Sequence, residues 1–281
     1  GPMAGTGDAT YFLYDQFGRK TWAIGPADTS GLRRATQTTY RNSDDRVTAV
    51  EVGYVTSVTS PVLVPLTRTD TSYDSRRNPT VETVSAAGTP YTLTQRTYDD
   101  RGRLTCGTRR MNSAAFSALP SDACTLGTAG AFGDDRIARN VYDNGSQLLQ
   151  VQRAVGTSIQ QNYATYTYTP NGQPQTVKDA NGNLTTYEYD GFDRRSKWRF
   201  PVATSGAGSS STTDYEQYGY DSVGNRTSLR KRDGKTLIYS VDALNRVRSK
   251  TVPASATGVP GYSVWYGYDV QGLQTFARFS S

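Results

Sequence analysis

The sequence predicts an all-β protein made of repeated antiparallel β-hairpins, and three observations lead to that prediction. Only 35% of the 281 residues are hydrophobic, and the 20 Tyr outnumber the 8 Phe and the 3 Trp. Tyr, Thr and Val favour strands in which one face stays in contact with water. Residue types also alternate along short stretches, as in Tyr166-Thr167-Tyr168, and a short motif recurs along the chain.

The recurring motif is an aromatic residue, Asp, two variable residues, Gly, and then Asn or Arg. Asp and Gly are the preferred first and fourth residues of a type I β-turn, because the Asp carboxylate accepts a backbone N–H and Gly adopts a positive φ. Where Gly is absent, Asp193 and Asn245 are of the residue types that best tolerate that conformation. Each repeat is therefore predicted to be a strand, a tight turn and a second strand. The turn residues that the motif predicts are Asp15, Gly18, Asp99, Gly102, Asp179, Gly182, Asp221, Gly224, Asp242, Asn245, Asp269 and Gly272.

Residues 106–134 interrupt the repeats and are interpreted as an insertion. An Ala-rich centre and a stop at Pro120 predict a short helix over residues 112–118. Cys106 and Cys124 bracket the insertion, either as two unrelated buried thiols or as a disulfide that would contribute about 3 kcal/mol on the chain-entropy model. A second irregular stretch, residues 203–213, is rich in Ser, Gly and Thr and predicts a flexible hairpin loop.

The absence of His from the sequence removes most catalytic and metal-binding chemistry. Without imidazole there is no Ser-His-Asp triad, and two Cys cannot close a structural zinc site. Adjacent carboxylates such as Asp44-Asp45 and Asp134-Asp135 would point to opposite faces of a strand, which does not suit a glycosidase pair. A calcium loop at Asp179 would require Gly where Leu184 stands. We therefore predict no enzyme, no cofactor and no metal site.

The net charge of +6 and the pI of about 9.2 make nucleic acid a partner to consider. Most of the 31 basic residues are Arg, scattered at nearly regular intervals, which favours stacking on Tyr and pairing with Asp. No apolar run approaches the roughly 18 residues of a membrane span. Neither nucleic-acid binding nor membrane insertion is therefore predicted. Gly1-Pro2 is typical of the scar of a cleaved tag, which we assign to residues 1–3.

The motif resembles the RHS or YD-repeat family, whose consensus is close to Tyr, Asp, two residues, Gly, Asn or Arg, Arg and Leu. Copies such as Tyr98–Leu104 and Tyr220–Arg226 carry the resemblance, which extends from about residue 11 to residue 279. It implies a ribbon of β-hairpins that spirals into a hollow shell or barrel, as a single domain over residues 4–281. In bacterial toxins such a shell implies a cocoon around a cytotoxic C-terminal domain, and in animal teneurins an adhesive barrel. Complete toxin shells end in a self-cleaving site with an Asp-Pro motif, which this sequence lacks, so a segment of a shell is expected.

The function implied by the resemblance is enclosure by a non-enzymatic shell segment of an exported protein. Its partners would be the rest of its own shell and an encapsulated C-terminal toxin domain, at an extracellular or cell-surface location. Export also favours the disulfide between Cys106 and Cys124 over two free thiols. Two alternatives stay open: a cell-surface binding module for glycans or a protein receptor, and a self-assembling coat.

A segment of a longer shell would end in strands with unpaired backbone groups, here near residues 11–14 and 264–279. Such edges pair with other chains unless charge, Pro or a bulge protects them. The stretch Tyr262–Tyr268 has neither charge nor Pro. We therefore expect self-association through the edge strands, as a closed dimer or an open stack.

Overall fold

The structure is a computed structural model that describes residues 9–254 and 260–280, and it confirms the all-β prediction. Twenty strands and one three-residue 3-10 helix make up the regular structure of these residues. The chain divides into two compact units, Gly1–Val141 with Val151–Gln161 and Tyr142–Gln150 with Asn162–Ser281. The single domain expected over residues 4–281 remains a prediction, and the tag scar at residues 1–3 lies outside the described residues.

The strands of the first unit follow one another in the sheet in the order of the sequence. They are β1 (Tyr11–Tyr14), β2 (Lys20–Ala27), β3 (Arg33–Arg41), β4 (Arg46–Val55), β5 (Val64–Tyr73), β6 (Pro79–Ala86), β7 (Thr89–Tyr98), β8 (Leu104–Arg110) and β9 (Arg136–Tyr142). Each pairing from β1–β2 to β8–β9 is antiparallel. The predicted succession of hairpins is therefore confirmed in this unit.

The apolar core of the first unit lies where segments outside the strands cover the sheet. Ile24, Ala35 and Val55 are almost fully buried. Val58 and Leu63, from the loop between β4 and β5, pack against them. A second cluster lies under the insertion between β8 and β9 and is described with the disulfide below.

The insertion contains less helix than the sequence predicts. In place of a helix over residues 112–118, a 3-10 helix spans only Ser113–Ala115. The Asn112 side chain accepts a hydrogen bond from the Ala114 N–H at 3.2 Å and so caps its first turn. Helix nucleation is unfavourable in so short a segment, and a single 3-10 turn is the usual form of such a connector.

The strands of the second unit also follow the order of the sequence. Strand β10 (Leu148–Arg153) spans the boundary between the units. The remaining strands are β11 (Gln161–Tyr168), β12 (Pro174–Asp179), β13 (Leu184–Tyr189), β14 (Arg195–Pro201), β15 (Ser210–Tyr220), β16 (Arg226–Arg230), β17 (Thr236–Val241), β18 (Val247–Val252), β19 (Tyr262–Tyr268) and β20 (Gln274–Ser280). Each pairing from β11–β12 to β19–β20 is antiparallel. No helix in the described part of the chain is long and apolar enough to cross a membrane.

Two boundaries in the second unit differ from those expected. Strand β15 begins at Ser210, which pairs with Pro201, so residues 210–213 of the predicted loop 203–213 lie in a strand. Strand β19, which contains the uncharged stretch Tyr262–Tyr268, is not an edge, because it pairs with both β18 and β20. Among the described residues, β1 pairs with β2 alone and β20 with β19 alone, so both are edges, and β20 carries Arg278.

Candidate functional site

The motif forms a hairpin turn that its Asp closes, and the turn at Asp99 is typical. Gly102 N donates to Asp99 O at 2.9 Å, and Asp99 N donates to Arg103 O at 3.0 Å. Gly102 has a φ of 77°, and the register between β7 and β8 shifts between Thr97 and Tyr98. A type I turn followed by a left-handed residue and a bulge is a common three-residue hairpin loop.

The Asp99 carboxylate holds this loop in place. Its Oδ1 accepts from the backbone N–H groups of Arg101 and Arg103, both at 2.9 Å, and its Oδ2 accepts from Arg103 Nε at 2.7 Å. The hydrogen bond from the Arg103 N–H is the main cause that lowers the pKa of Asp99 below its ordinary value, and it outweighs desolvation. The carboxylate is therefore ionised at neutral pH and stabilises the turn.

The structure places the turn residues that the motif predicts in turns of this form. The same two backbone hydrogen bonds close the turns that begin at Asp15, Asp99, Asp179, Asp221, Asp242 and Asp269. Positive φ angles occur at Gly18, Gly102, Gly182, Gly224, Gly272 and Asn245. Asp193, where Gly is absent, has a φ of 58°. Asp179, weighed above as a calcium ligand, accepts from Asn183 N and Nδ2 and so closes a turn. Within the described residues, no group of three or more Cys, Asp or Glu is placed to hold a metal ion.

The motif misses a turn of the same form between β2 and β3. Gly31 N donates to Asp28 O at 3.0 Å, and Gly31 has a φ of 80°. Asp28 Oδ1 accepts from Ser30 N and Leu32 N, both at 2.9 Å. No aromatic residue precedes Asp28, because Ala27 stands there. The spacing of Asp and Gly without the aromatic residue would have identified this turn.

The residue after the turn joins one repeat to the next, through the stacking on Tyr and pairing with Asp that the sequence predicted for Arg. Arg194 Nε donates to Asp190 Oδ2 at 2.8 Å, and Arg194 Nη1 donates to Asp221 O at 3.0 Å. The Arg194 guanidinium also lies 4.6 Å from the ring centroid of Tyr220 in the next repeat. One carboxylate thus positions a cation that contacts the following turn. Equivalent stacking occurs for Arg19 on Tyr40 at 4.9 Å and for Arg246 on Tyr268 at 4.5 Å.

The Tyr that precedes the turn Asp forms a second link between repeats. Tyr220 OH donates at 2.9 Å to Arg195 O, the carbonyl just beyond the preceding turn. Equivalent hydrogen bonds run from Tyr73 to Val47, Tyr98 to Pro79, Tyr168 to Leu148, Tyr189 to Pro174 and Tyr268 to Val247. We call the Asp, Arg and Tyr side chains of these turns the turn row. Where the Tyr is present, the turn row fixes a hairpin to the one before it.

A substitution at Gly224 tests the turn geometry. Gly224→Ala is expected to lower the free energy of unfolding by about 1 kcal/mol, because a Cβ is unfavourable at its φ of 96°. No atom lies within 4 Å of the added Cβ, so a clash would not contribute. Gly191→Ala is the matched control, since that Cβ also meets no atom within 4 Å and its φ is not left-handed. Equal denaturation midpoints for the two variants in urea would contradict the prediction.

The insertion is held on the sheet of the first unit by a disulfide and an apolar cluster. Cys106 in β8 and Cys124 in the insertion form a disulfide with a Cα–Cα distance of 5.3 Å. Cys106 is fully buried and lies in a cluster with Ala123, Ile137 and Val155. The cross-link therefore attaches the returning segment of the insertion directly to a strand.

A buried ion pair lies beside the disulfide. Arg110 Nη1 lies 2.6 Å from Asp135 Oδ2, and the two side chains are 3% and 4% exposed. Gln95 Oε1 accepts from Arg110 Nε at 3.0 Å, and Asp135 accepts from the N–H groups of Met111 and Gly127, both at 2.8 Å. Burial by itself raises the pKa of Asp135, but the hydrogen bonds outweigh it and lower the pKa below its ordinary value. The pair is therefore ionised and fully partnered, as a buried ion pair must be to remain stable.

Comparisons with known proteins agree with the motif and the fold. Residues 168–197 match the family model described as RHS Repeat. The crystal structure of TcdB2-TccC3-Cdc42 is similar over 98% of this chain, with 17% sequence identity and a TM-score of 0.55. The crystal structure of TcdB2-TccC3-TEV is similar over 98% of this chain, with 18% identity and a TM-score of 0.52.

The chain spans about 15% of the length of these two solved chains. A comparison with curated protein sequences finds no match. At this identity the two solved structures show a shared fold, while the matched repeat at residues 168–197 provides the link in sequence. Residues 168–197 therefore match an RHS repeat, and the recurring motif resembles that repeat along the rest of the chain.

Proposed function

We propose that the chain is a structural, non-enzymatic segment of an RHS-type shell that encloses a C-terminal toxin domain. The turn row is the observation that supports this proposal most directly. It links successive hairpins, for example through the stacking of Arg194 on Tyr220 and the hydrogen bond from Tyr220 to Arg195. A sheet that grows by adding linked hairpins can extend into a wall, since each repeat needs only its neighbours.

Two further observations support a segment of a larger wall. The chain aligns over nearly its whole length with only 15% of a much longer solved chain. Strand β20 pairs with β19 on one side, and Phe279 on it is 77% exposed. The rest of the shell would pair with such an edge. The disulfide between Cys106 and Cys124 suits an oxidising compartment and so supports export to an extracellular or cell-surface location.

Enclosure can be tested with protein made from the complete reading frame that contains these residues. A domain encoded after residue 281 is expected to resist proteinase K in the whole protein and to be digested when it is made alone. Mass spectrometry of the digest would identify the protected segment. A reading frame without such a domain, or digestion at the same rate in both proteins, would overturn the proposal.

The exposed edge predicts self-association of the 281-residue chain. Sedimentation across a hundredfold concentration range is expected to show a dimer or larger species, because unpaired backbone groups of β20 pair with a second copy. Ala277→Lys with Phe279→Lys adds charge to this edge and is expected to shift the protein towards monomer. Lysines at Val264 and Tyr266 would instead fall in β19, between two strands.

The control for this prediction is Phe192→Lys, which adds charge at a residue that is 80% exposed in a turn. It is expected to leave the association unchanged. A strict monomer at every concentration, or assembly that persists after the β20 substitutions, would show that the edge is not the contact.

A further inference from the structure

A row of tyrosines lies on one face of the second unit. Tyr187 is the cross-strand partner of Trp198, which is in turn the cross-strand partner of Glu216. Tyr218 follows Glu216 by two residues in the same strand. Cross-strand partners and residues two apart lie on the same face of a sheet, so Tyr187 and Tyr218 share a face. Tyr occupies this position, three residues before the start of a turn, at Tyr166, Tyr187, Tyr218, Tyr239 and Tyr266.

Two arginines on this face have no anionic partner. The Arg195 guanidinium lies 4.5 Å from the ring centroid of Tyr187, and that of Arg226 lies 4.9 Å from the ring centroid of Tyr218. Within residues 9–254 and 260–280, neither guanidinium forms a salt bridge or a hydrogen bond. Arg194, the neighbour of Arg195, contrasts with both because it is paired with Asp190 at 2.8 Å. The stacked arginines are therefore free to bind an anion.

Both arginines line one depression of the surface, with a volume of about 270 Å³. Tyr189, Tyr218 and Tyr220 form its walls. We call these three tyrosines, with Arg195 and Arg226, the tyrosine groove. A neighbouring depression of about 370 Å³ shares Tyr220 and Arg226 and so extends the groove along the sheet.

The walls of the tyrosine groove are fixed before any ligand binds. Tyr189 OH donates to Pro174 O at 2.6 Å, and Tyr220 OH donates to Arg195 O at 2.9 Å. These hydrogen bonds hold two rings in place, so a ligand that stacks on them does not have to order them. Preorganisation of this kind favours binding, because less conformational entropy is lost.

The charge in the groove favours an anion. Glu216 is the carboxylate beside it, and its Oε2 accepts from Tyr218 OH at 2.7 Å. Burial and this carboxylate raise the pKa of Tyr218 to about 12, so Tyr218 stays neutral. One carboxylate, already engaged with Tyr218, therefore faces two cations that have no partner.

We propose that the tyrosine groove binds a carboxylated glycan, with sugar rings on the tyrosines and uronate carboxylates on Arg195 and Arg226. Planar guanidinium groups match carboxylates with two parallel hydrogen bonds, and aromatic rings provide apolar faces with polar edges. The side chain of Gln173, which also lines the groove, can bond sugar hydroxyls. This site goes beyond enclosure and does not depend on it.

Single-stranded nucleic acid is the competing ligand class, and the observations favour it less. Proteins that bind single strands combine stacking rings with a continuous groove of cations that follows the phosphate backbone. Here the two free cations alternate with rings, and Glu216 lies beside them. A glycan that carries separate carboxylates suits that spacing of charge better than a strand that carries a charge on each nucleotide.

Titration calorimetry with three probes tests the proposal on the 281-residue protein. The probes are an oligogalacturonate, the same oligosaccharide with its carboxylates methyl-esterified, and an oligothymidylate. Saturable binding of the oligogalacturonate alone is expected. Arg195→Gln with Arg226→Gln is expected to weaken it by about tenfold or more, since charge-assisted hydrogen bonds are lost. Arg34→Gln with Arg139→Gln, which removes the same charge from exposed positions of the first unit, is the matched control and should change it by less than about twofold.

Variants at Tyr218 separate stacking from charge. Tyr218→Phe keeps the ring and is expected to keep binding, whereas Tyr218→Leu removes the aromatic face and is expected to weaken it by several-fold. Thermal melts of each variant would show that the fold is retained. No binding, equal binding of the methyl ester, or equal loss in the control pair would overturn the proposal. Oligothymidylate binding that the groove variant abolishes would reassign the groove to nucleic acid, with the enclosure proposal unaffected.

Discussion

Asp135→Ala is expected to lower the free energy of unfolding by about 3–5 kcal/mol, because it leaves the buried Arg110 charge without its counter-ion. The two side chains are 3% and 4% exposed, so little solvent screens the charge that remains on Arg110. The N–H groups of Met111 and Gly127 lose their acceptor in the same substitution. Equilibrium unfolding in urea, followed by near-ultraviolet circular dichroism, would measure the change.

The neighbouring residue supplies a matched control. Asp134 is exposed, and Asp134→Ala removes the same charge from the same backbone segment. It is expected to change the free energy of unfolding by less than about 0.5 kcal/mol, as for an ordinary surface substitution. Arg110→Met combined with Asp135→Leu removes both charges and should cost less than Asp135→Ala alone. Similar losses for Asp134→Ala and Asp135→Ala would contradict the role assigned to the ion pair.

The lowered pKa of Asp135 gives this prediction a pH dependence. An Asp in an unfolded chain has a pKa of about 3.9, so above that pH both states are ionised and the full stabilisation is present. As the pH falls below that value, the unfolded state takes up a proton before the folded state does. The contribution is lost as the pH falls through the lower pKa of the folded state. Asp135→Ala should therefore be less sensitive to acid than the parent between about pH 5 and pH 2.

The sequence was sufficient to predict the hairpin turns that carry the motif, because each one is determined within five consecutive residues. Asp99 binds the backbone of Arg101 and Arg103, and Gly102 supplies the positive φ. Such local interactions leave a spacing that recurs and can be recognised. The same reasoning identified Asp193 as a substitute for Gly in a left-handed position.

The sequence predicted that Arg stacks on Tyr and pairs with Asp, but it revealed neither the particular partners nor the buried ion pair, because both join distant residues. Arg194 stacks on Tyr220 only once the two hairpins are side by side. Gln95, Arg110 and Asp135 meet through a loop that follows no periodic pattern. Residue types alone do not distinguish Asp135, which is buried, from Asp134, which is exposed.

The stretch Tyr262–Tyr268 was wrongly predicted as an edge for a related reason, although the predicted range 264–279 includes most of the observed edge strand β20. The stretch Tyr262–Tyr268 is uncharged, which is typical of an unprotected edge, but an interior strand needs no protection either. The predicted turn at Asp269 is present, and after it the chain returns as β20, which pairs with β19 on the outer side. The composition of Tyr262–Tyr268 therefore indicated a strand correctly. Which strands lie on either side of it is shown by the observed pairing with β18 and β20.

Removal of the disulfide is the other substitution with a large expected effect. Cys106→Ser with Cys124→Ser is expected to lower the free energy of unfolding by about 3 kcal/mol, as for a loop that spans 18 residues. The cross-link restricts the unfolded chain, and its loss also places two hydroxyls beside Ala123 and Ile137 in a buried cluster. Urea denaturation of the parent, the parent with reductant, and the double variant would measure each contribution.

The parent with reductant separates the cross-link from the change of side chain. Reduction is expected to destabilise the parent and to leave the double variant unchanged, since that variant has no bond to break. Intact mass after alkylation should show no labelled thiol in the oxidised protein and two after reduction, because the structure joins Cys106 to Cys124. Two labelled thiols in protein made under oxidising conditions would refute the cross-link. A parent that denatures at the same urea concentration with and without reductant would show that the bond forms but does not stabilise the insertion. In that case the Arg110–Asp135 pair and the cluster around Ile137 would hold the insertion without the disulfide.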